Sequence, residues 1–194
     1  MFDQKFWDRY YRDQDIPWDM GHVSPPLKAY IDQLENKAMR ILIPGAGNGH
    51  EAEYLWQQGF HNIFILDISK LPLKNLQRRV PEIPQERFIL QDFFEHRGSY
   101  DLILEQTFFC ALSPSLREKY VRQMYRLLAA GGKLAGLLFT FPLNPDQEKP
   151  PFGGSLEEYQ TLFARHFKDI RIETAYNSHP ARSSQEAFFI LRKH

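Results

Sequence analysis

One glycine-rich segment constrains the fold more than any other part of the sequence. Residues 41–50 have the sequence Ile-Leu-Ile-Pro-Gly-Ala-Gly-Asn-Gly-His, so a short apolar run enters a turn with three alternate glycines, Gly45, Gly47 and Gly49. An apolar run followed by a glycine turn and an amphipathic stretch is typical of a strand that leads into a helix. Glycines permit positive φ angles and let a ligand approach the backbone closely. The segment therefore predicts a strand, a ligand-binding turn and a helix.

Short apolar runs alternate with longer amphipathic stretches along the rest of the chain, which is the pattern of a parallel sheet covered by helices. It predicts an α/β fold with a doubly wound, mostly parallel sheet of seven strands. Because no helix separates the last two strands, we expect the last strand to run antiparallel. Strands are predicted near 39–43, 63–66, 87–90, 101–105, 134–140, 170–176 and 187–191, and helices near 49–59, 70–79, 114–130 and 155–167.

Two of these helices have local start signals. Ser113 precedes Pro114, so its side chain can cap free backbone N–H groups while the proline takes the first helical position. Ser155 and Glu158 form an S-x-x-E capping box. We therefore expect helices to begin directly after Ser113 and after Ser155.

Residues 1–36, which precede the first predicted strand, are rich in aromatic side chains. Phe6 and Tyr10, and likewise Trp7 and Tyr11, are four residues apart and would share a face of a helix. We expect this segment to form a helical cover. Its aromatic stripe either covers a ligand or packs on the core, and the sequence favours neither interpretation.

Composition limits the partners of such a protein. Lys plus Arg and Asp plus Glu both count 24, so no net positive field attracts a nucleic acid or an anionic membrane, and a small-molecule partner is expected. A single cysteine allows no internal disulfide, which favours the cytoplasm. The 194 residues, 43% of them hydrophobic, suit one buried core. We predict a monomer with one domain, residues 1–194, whose α/β core is formed by residues 37–194.

Three acidic residues follow predicted strands, and the carboxyl ends of parallel strands meet at the ligand-binding edge of an open α/β sheet. Asp67, about 20 residues after the glycine turn, could accept hydrogen bonds from ribose hydroxyls, with Ile68 against an adenine face. Asp92 suits an adenine amino group, and Glu105 ends the fourth strand, facing the reactive half of the ligand. For each acid, a helix cap or a solvated loop residue is the alternative.

The spacing of the glycines separates two cofactor classes. A dinucleotide fingerprint, G-x-G-x-x-G, would need glycine at position 50, which is His50. The G-x-G-x-G spacing found here is familiar from methyltransferases that bind S-adenosylmethionine, a cofactor without pyrophosphate. The turn therefore favours S-adenosylmethionine.

Segments spread over nearly the whole chain match one known family. They are Phe6-Trp7 with Tyr11, Ile16-Pro-Trp18-Asp-Met-Gly21, Ile43-Pro-Gly-Ala-Gly-Asn-Gly-His50, Leu66-Asp-Ile-Ser69, Thr107-Phe-Phe-Cys-Ala-Leu112, Pro150-Pro-Phe152 and Pro180-Ala-Arg182. In these segments the chain resembles the thiopurine S-methyltransferase superfamily, and within it the thiol and halide methyltransferases. The segment Thr107 to Leu112 is the most branch-specific match.

The resemblance implies a class I, Rossmann-like methyltransferase that converts S-adenosyl-L-methionine to S-adenosyl-L-homocysteine without a metal. It implies that the cofactor is contacted by aromatic residues of the cover and by residues after the strands: Trp7, Tyr11, Trp18, Gly45, Gly47, Gly49, Asp67, Ile68, Asp92, Phe93, Glu105 and Gln106. Candidate residues of the acceptor pocket are Trp18, Phe108, Phe109, Phe152 and Arg182, with none assigned as catalytic. Relatives of the thiol and halide branch usually have Asp-Tyr where this chain has Glu105-Gln106, which leaves the acceptor less defined than the cofactor.

An aromatic pocket suits methyl transfer to a small soft nucleophile, since ring faces attract a sulfonium ion and exclude water. The acceptor would be a thiol, bisulfide, a halide or a thiopurine-like sulfur, and no general base is required. Cys110 among apolar neighbours favours a buried hydrophobe over a nucleophile. The seven histidines lack metal-ligand spacing, so we predict no metal. Two alternatives stay open: a non-catalytic sensor that binds S-adenosylmethionine, and a nicotinamide-dependent oxidoreductase, against which His50 argues.

Overall fold

A seven-stranded sheet runs through the computed structural model, which describes residues 2–194. Its strands are β1 (Ile41–Pro44), β2 (Ile63–Asp67), β3 (Phe88–Leu90), β4 (Tyr100–Glu105), β5 (Leu128–Phe139), β6 (Asp169–Thr174) and β7 (Glu186–Arg192). They lie in the order β3-β2-β1-β4-β5-β7-β6. Neighbouring strands are parallel from β3 to β5, whereas β7 is antiparallel to both of its neighbours. This confirms the predicted α/β class and the antiparallel last strand.

Helices cover both faces of this sheet because alternate residues of its central strands point to opposite sides. The helices are α1 (Gln4–Asp13), α2 (Pro25–Ile31), α3 (His50–Gln57), α4 (Lys70–Arg79), α5 (Arg117–Leu127) and α6 (Leu156–Phe163). Leu42 and Ile103 belong to a core cluster with residues of α5 and α6, whereas Ile41 and Leu102 belong to one with residues of α2, α3 and α4. All four side chains are buried.

The helix predicted over 114–130 is wrong at both ends. Pro114–Leu116 is a separate 3₁₀ turn, and the Ser113 hydroxyl bonds the Ser115 hydroxyl at 2.9 Å instead of capping a backbone N–H. At the other end, Leu128 pairs with Tyr100 of β4, so residues 128–130 belong to a strand that begins six residues before the predicted start at 134. Pairing within the sheet outweighs the helical pattern of this segment.

The capping box of α6 forms as predicted, with Ser155 accepting from the Glu158 N–H at 3.2 Å and Glu158 accepting from the Ser155 N–H at 2.7 Å. The helix ends at Phe163, four residues earlier than expected. Phe167 is nevertheless buried, so the apolar pattern that extended the prediction reflects packing beyond the last helical turn.

Two helices precede the first strand, and they differ in burial. Pro26, Leu27 and Ile31 of α2 are buried against the core, whereas no residue of α1 is buried. Among the described residues, no helix has both the length and the apolar character needed to cross a bilayer.

Candidate active site

A cavity of about 630 Å³ opens at the carboxyl ends of β1, β2 and β4. Its walls are the glycine turn, the residues that follow β2, β3 and β4, the aromatic face of α1 and the turn at Arg182. They are completed by residues 17–20, His22, Phe139, Phe141, Pro150 and Pro151. Sites for small molecules and cofactors commonly have volumes of roughly 300–1,000 Å³. The cavity is therefore large enough for a cofactor together with a small acceptor.

The glycine turn forms one wall of this cavity, and its conformation requires glycine. Gly45 and Gly47 have φ angles of 58° and 53°. A Cβ atom on Gly45 would lie 2.2 Å from Cδ2 of Phe108, and one on Gly47 would lie 2.9 Å from the Tyr11 hydroxyl. Gly49, also in the wall, is the N-cap of α3. Close packing by aromatic side chains and the positive φ angles explain the glycines at 45 and 47.

Asp67 ties the end of β2 to the glycine turn. Its carboxylate is buried and accepts the Gly47 N–H at 2.9 Å and the Ser69 N–H at 2.8 Å. Burial raises the pKa of Asp67 to about 6, although the hydrogen bonds from Ser69 and Gly47 act in the opposite direction. Ile68 follows in the cavity wall. The predicted ligand residue is thus also a structural brace for the turn.

Residues after β3 form the next part of the wall. Asp92 and Phe93, both predicted to contact a cofactor, line the cavity. Asp92 is exposed and accepts the Phe94 N–H at 2.8 Å, so it also stabilises its own turn. The buried Phe93 ring packs edge-on against Phe108, with centroids 5.0 Å apart. The apolar platform here consists of these two rings.

Glu105 does not line the cavity, contrary to the expectation that it would contact the cofactor. Its side chain is fully buried, and its Oε1 accepts the N–H groups of Phe108 and Phe109, both at 2.6 Å. Burial raises the pKa of Glu105 to about 7, the two backbone hydrogen bonds lower it, and the charge of Glu51 raises it further. The carboxylate shapes the turn after β4 because it satisfies two backbone donors there.

Gln106 and Thr107, the next two residues, do line the cavity. Thr107 has a φ of 56°, a left-handed conformation that β-branched residues rarely adopt. The Gln106 side chain has its amide nitrogen and oxygen both buried, and neither has a hydrogen-bond partner among the described residues. The turn therefore leaves a buried, unpaired amide beside the cavity.

Two of the predicted pocket aromatics lie outside the cavity wall. Phe109 is 1% exposed and packs edge-on against Tyr120 and Tyr159, with centroids 5.0 and 5.6 Å away. Phe152 is 3% exposed, and its N–H donates to the Cys110 carbonyl at 2.8 Å. Both rings are core residues because the chain around them turns inward. Their places in the wall are taken by Phe139, Phe141, Pro150 and Pro151, which the sequence prediction missed.

The face of α1 and Trp18 form an aromatic cluster over the opposite wall. Ring centroids of Trp18 lie 5.5 Å from Trp7, 5.4 Å from Tyr10 and 5.9 Å from Tyr11, all in edge-on geometry. These residues line the cavity without being buried in the core. Of the two interpretations of the aromatic stripe, the structure supports the one in which it covers a cavity.

A polar contact that the sequence analysis missed holds Asp19 on the glycine turn. Asp19 accepts from His50 Nε2 at 2.7 Å, from the Gly21 N–H at 2.7 Å and from the Asn48 side chain. Burial alone would raise the pKa of Asp19, but hydrogen bonds from His50, Asn48 and Gly21 outweigh it and hold the pKa well below its usual range. The segment that carries Trp18 is thus attached to the start of α3.

Arg182, predicted to face the acceptor, lines the cavity but has protein partners. Its guanidinium donates to the Trp18 carbonyl at 2.6 Å, lies 3.4 Å from the Glu186 carboxylate and sits 5.5 Å from the Phe139 ring centroid. Both charged side chains are buried. Arg182 therefore fixes the position of Trp18 from the far end of the sequence.

Cys110 lines the cavity floor but is buried, and burial raises the pKa of its thiol well above the usual range. A thiol held neutral in this way is a poor nucleophile. Within residues 2–194, no group of three or more His, Cys, Asp or Glu side chains is arranged to hold a metal ion.

The sequence of this chain is similar to those of known methyltransferases. The family model for thiopurine S-methyltransferase (TPMT) matches residues 2–193. The probable thiol methyltransferase 2 of Arabidopsis thaliana is 30% identical over 161 residues, which cover 80% of this chain and 70% of the relative. The thiopurine S-methyltransferase of Acinetobacter baylyi is 26% identical over 192 residues, covering 87% of this chain and 86% of the relative.

A solved structure has the same fold. It is the 1,6-didemethyltoxoflavin-N1-methyltransferase of Burkholderia thailandensis with bound 1,6-didemethyltoxoflavin and S-adenosylhomocysteine. The TM-score is 0.78, with 19% identity, over 98% of this chain and 86% of that one. At this identity the likeness concerns the fold.

Proposed function

Because the chain belongs to the thiopurine S-methyltransferase family and is an S-adenosylmethionine-dependent methyltransferase, we propose that it methylates a small soft nucleophile by in-line displacement. The acceptor class comprises thiols, bisulfide, halides and thiopurine-like sulfur. The observation that carries this proposal is the cavity wall formed by the rings of Trp7, Trp18 and Phe108 around the glycine turn. Family membership also removes the nicotinamide-dependent oxidoreductase as an alternative.

The residues of the cavity fit the cofactor. A side chain at Gly45 or Gly47 would collide with Phe108 or Tyr11. The turn therefore presents only its backbone to a ligand. Each oxygen of the Asp67 carboxylate accepts one backbone N–H and has capacity for a further hydrogen bond, which suits ribose hydroxyls. We assign Ile68, Asp92 and Phe93 to the adenine end, since they continue this wall. When bound, S-adenosylmethionine supplies an activated sulfonium methyl group.

The protein positions the reactants, attracts the positive charge of the cofactor and excludes water from the site. Aromatic faces of Trp7 and Trp18 attract a sulfonium cation, and together with Phe108 they exclude water from the line of attack. Because the site holds the reacting atoms close together, the transfer no longer depends on a collision between two molecules in solution. A thiol, with a pKa of about 8.5, supplies some thiolate near neutrality, so no general base is needed. Arg182 fixes Trp18 through its carbonyl and gives the acceptor side a cationic group that is balanced by Glu186.

The experiment is methyl transfer from labelled S-adenosylmethionine to bisulfide, a small thiol, iodide, thiocyanate and a thiopurine, with purified protein. We expect transfer to at least one of them. The Trp18→Ala variant should lose most of this activity, while Trp56→Ala, which changes a tryptophan outside the cavity wall, serves as the matched control. If none of the acceptors reacts while S-adenosylhomocysteine still binds, the soft-nucleophile proposal fails. That result would favour the alternative of a non-catalytic sensor.

A further inference from the structure

One edge of the sheet, strand β6, has no neighbouring strand on its outer side among residues 2–194. Natural proteins usually protect such an edge with a proline, a bulge, a very short strand or repelling charges. β6 has six residues, contains no proline and pairs with β7 without a register shift. The opposite edge strand, β3, has only three residues. β6 is therefore the edge that remains able to accept a further strand.

The backbone of an antiparallel strand directs alternate residues toward its two neighbours. The Ala175 N–H donates to the Glu186 carbonyl at 2.9 Å, so Ala175, directly after β6, faces β7. By the same alternation, Ile170, Ile172 and Thr174 direct their N–H and C=O groups to the outer edge. Their backbone donors and acceptors are therefore available to another strand.

The charges of β6 are complementary to those of a second copy of the same strand. In an antiparallel pair about a two-fold axis at Ile172, Arg171 of each copy lies opposite Glu173 of the other. Since Ile172 directs its backbone groups outward, these charge pairs occupy non-hydrogen-bonded positions, where opposing side chains are closest. The two side chains are 68% and 61% exposed, so their ion pair within one strand contributes little stability. The charges of this edge therefore attract a second copy instead of repelling it.

The same register provides a partner for an exposed aromatic ring near this edge. Tyr176, two residues beyond the end of β6, is 92% exposed. In an antiparallel pair about Ile172, it lies opposite Lys168 of the second copy, which is also exposed. A lysine ammonium group is attracted to the face of a tyrosine ring. Pairing of two copies would therefore cover a ring that one copy leaves in solvent.

We propose that the protein forms a two-fold dimer in which the β6 strands of two copies pair antiparallel about Ile172, so that one sheet continues through both copies. A two-fold dimer uses the same surface patch on both subunits, as this register does. Because the contact is confined to one strand edge, we expect a reversible dimer with a Kd of roughly 1–100 µM. The sequence alone predicts a monomer, and this inference departs from that prediction. It is independent of the proposed function, since within residues 2–194 the cavity wall contains no residue of β6.

Analytical ultracentrifugation over roughly 1 µM to 1 mM protein tests the proposed dimer, and the mass of the wild type should rise to that of two chains. Arg171→Glu leaves only acids at the two paired positions, and Glu173→Arg leaves only bases. Each single variant should therefore dimerise at least about tenfold more weakly than the wild type. The double variant Arg171→Glu/Glu173→Arg exchanges the charges and should recover the wild-type Kd. A wild type that stays monomeric at about 1 mM overturns the inference.

A mixture of the two single variants tests the register itself. Arg171→Glu and Glu173→Arg place an acidic edge opposite a basic one, so their equimolar mixture should associate at least as tightly as the wild type although neither variant does so alone. The matched controls are Glu86→Arg and Lys74→Glu, which reverse exposed charges outside β6 and should leave the Kd of the wild type unchanged. A mixture that fails to associate overturns the proposed pairing, and so do single variants that dimerise as well as the wild type.

Amide hydrogen exchange locates the interface. The N–H groups of Ile170, Ile172 and Thr174 should exchange more slowly as the wild type dimerises, whereas at the same concentration they should stay fast in Arg171→Glu. A dimer that leaves these amides unprotected uses another surface and overturns the inference. The Tm and the affinity for S-adenosylhomocysteine should be unchanged in all of these variants, because the substituted side chains are exposed and lie outside the cavity wall. A lost dimer would then reflect the edge and not a lost fold.

Discussion

Replacing Glu105 by glutamine should change how the stability of this protein depends on pH. The carboxyl is fully buried, and burial raises its pKa from the usual 4.5 to about 7. The folded protein therefore binds this proton more tightly than the unfolded chain does. The stabilisation that results is complete below pH 4.5 and is lost as the pH rises through 7. In the wild type, Glu105 thus makes the free energy of unfolding fall with rising pH.

The size of the effect follows from the rise in pKa. At 1.36 kcal/mol for each pH unit, a rise of about 2.5 corresponds to about 3 kcal/mol in total. Roughly 2.5 kcal/mol of this falls between pH 5 and pH 8. The Glu105→Gln variant keeps an oxygen that can accept the N–H groups of Phe108 and Phe109, and it has no proton to lose. It should therefore gain stability relative to the wild type as the pH rises.

Urea unfolding of both proteins at pH 5, 6, 7 and 8 measures this difference. Burial also raises the pKa values of Asp67 and Glu51. Both residues are present in both proteins, so their effects on the pH dependence largely cancel in the comparison. Glu157→Gln on the exposed face of α6 is a matched control that should leave the pH dependence unchanged. Glu105→Leu should be less stable at every pH, because two buried N–H groups lose their acceptor. Parallel pH curves for the wild type and Glu105→Gln would refute the reasoning.

Three further substitutions test the walls of the cavity. Trp18→Ala should lower kcat/KM roughly thirtyfold, the equivalent of about 2 kcal/mol for a desolvated cation–π contact, with an unchanged circular dichroism spectrum; unaltered turnover would contradict the proposed pocket. Gly45→Ala places a Cβ 2.2 Å from Cδ2 of Phe108 at a φ of 58°, so thermal melting should reveal lower stability and calorimetry weaker S-adenosylhomocysteine binding. Asp19→Asn removes the charge that pairs with His50 and should cost about 1–3 kcal/mol in urea unfolding, whereas wild-type stability would mean that the contact is unimportant.

Local patterns in the sequence predict most of the sheet and the cofactor end of the cavity. The run Ile41–Pro44 is buried throughout, so its apolar composition alone identifies a central strand. Trp7 and Tyr11 share a helix face because four residues nearly complete one helical turn. The glycine turn is equally local, since its residues and the strand before it are contiguous. These features depend only on residues that are close in the sequence, so the sequence predicts them.

The acceptor side could not be predicted in the same way, because its geometry depends on contacts between distant residues. Glu105 turns inward to satisfy the N–H groups of a strained turn, and nothing in the sequence specifies the left-handed Thr107. Phe109 is therefore carried into the core, whereas Phe108 stays in the cavity wall. Arg182 reaches the Trp18 carbonyl across 164 positions of the chain. Aromatic composition alone cannot distinguish a core ring from a wall ring.

No residue of α1 is buried, and this affects how reactants enter and leave the cavity. This helix is held by the hydroxyl of Ser69, which donates to Asp8 at 2.5 Å, and by edge contacts of its rings with Trp18. The sheet is held by two continuous cores. Detaching α1 exposes far less apolar surface than unfolding the sheet, so it is the lower-energy opening of the molecule. We expect exchange of reactants to proceed by transient local unfolding of this one helix, with the rest of the protein intact.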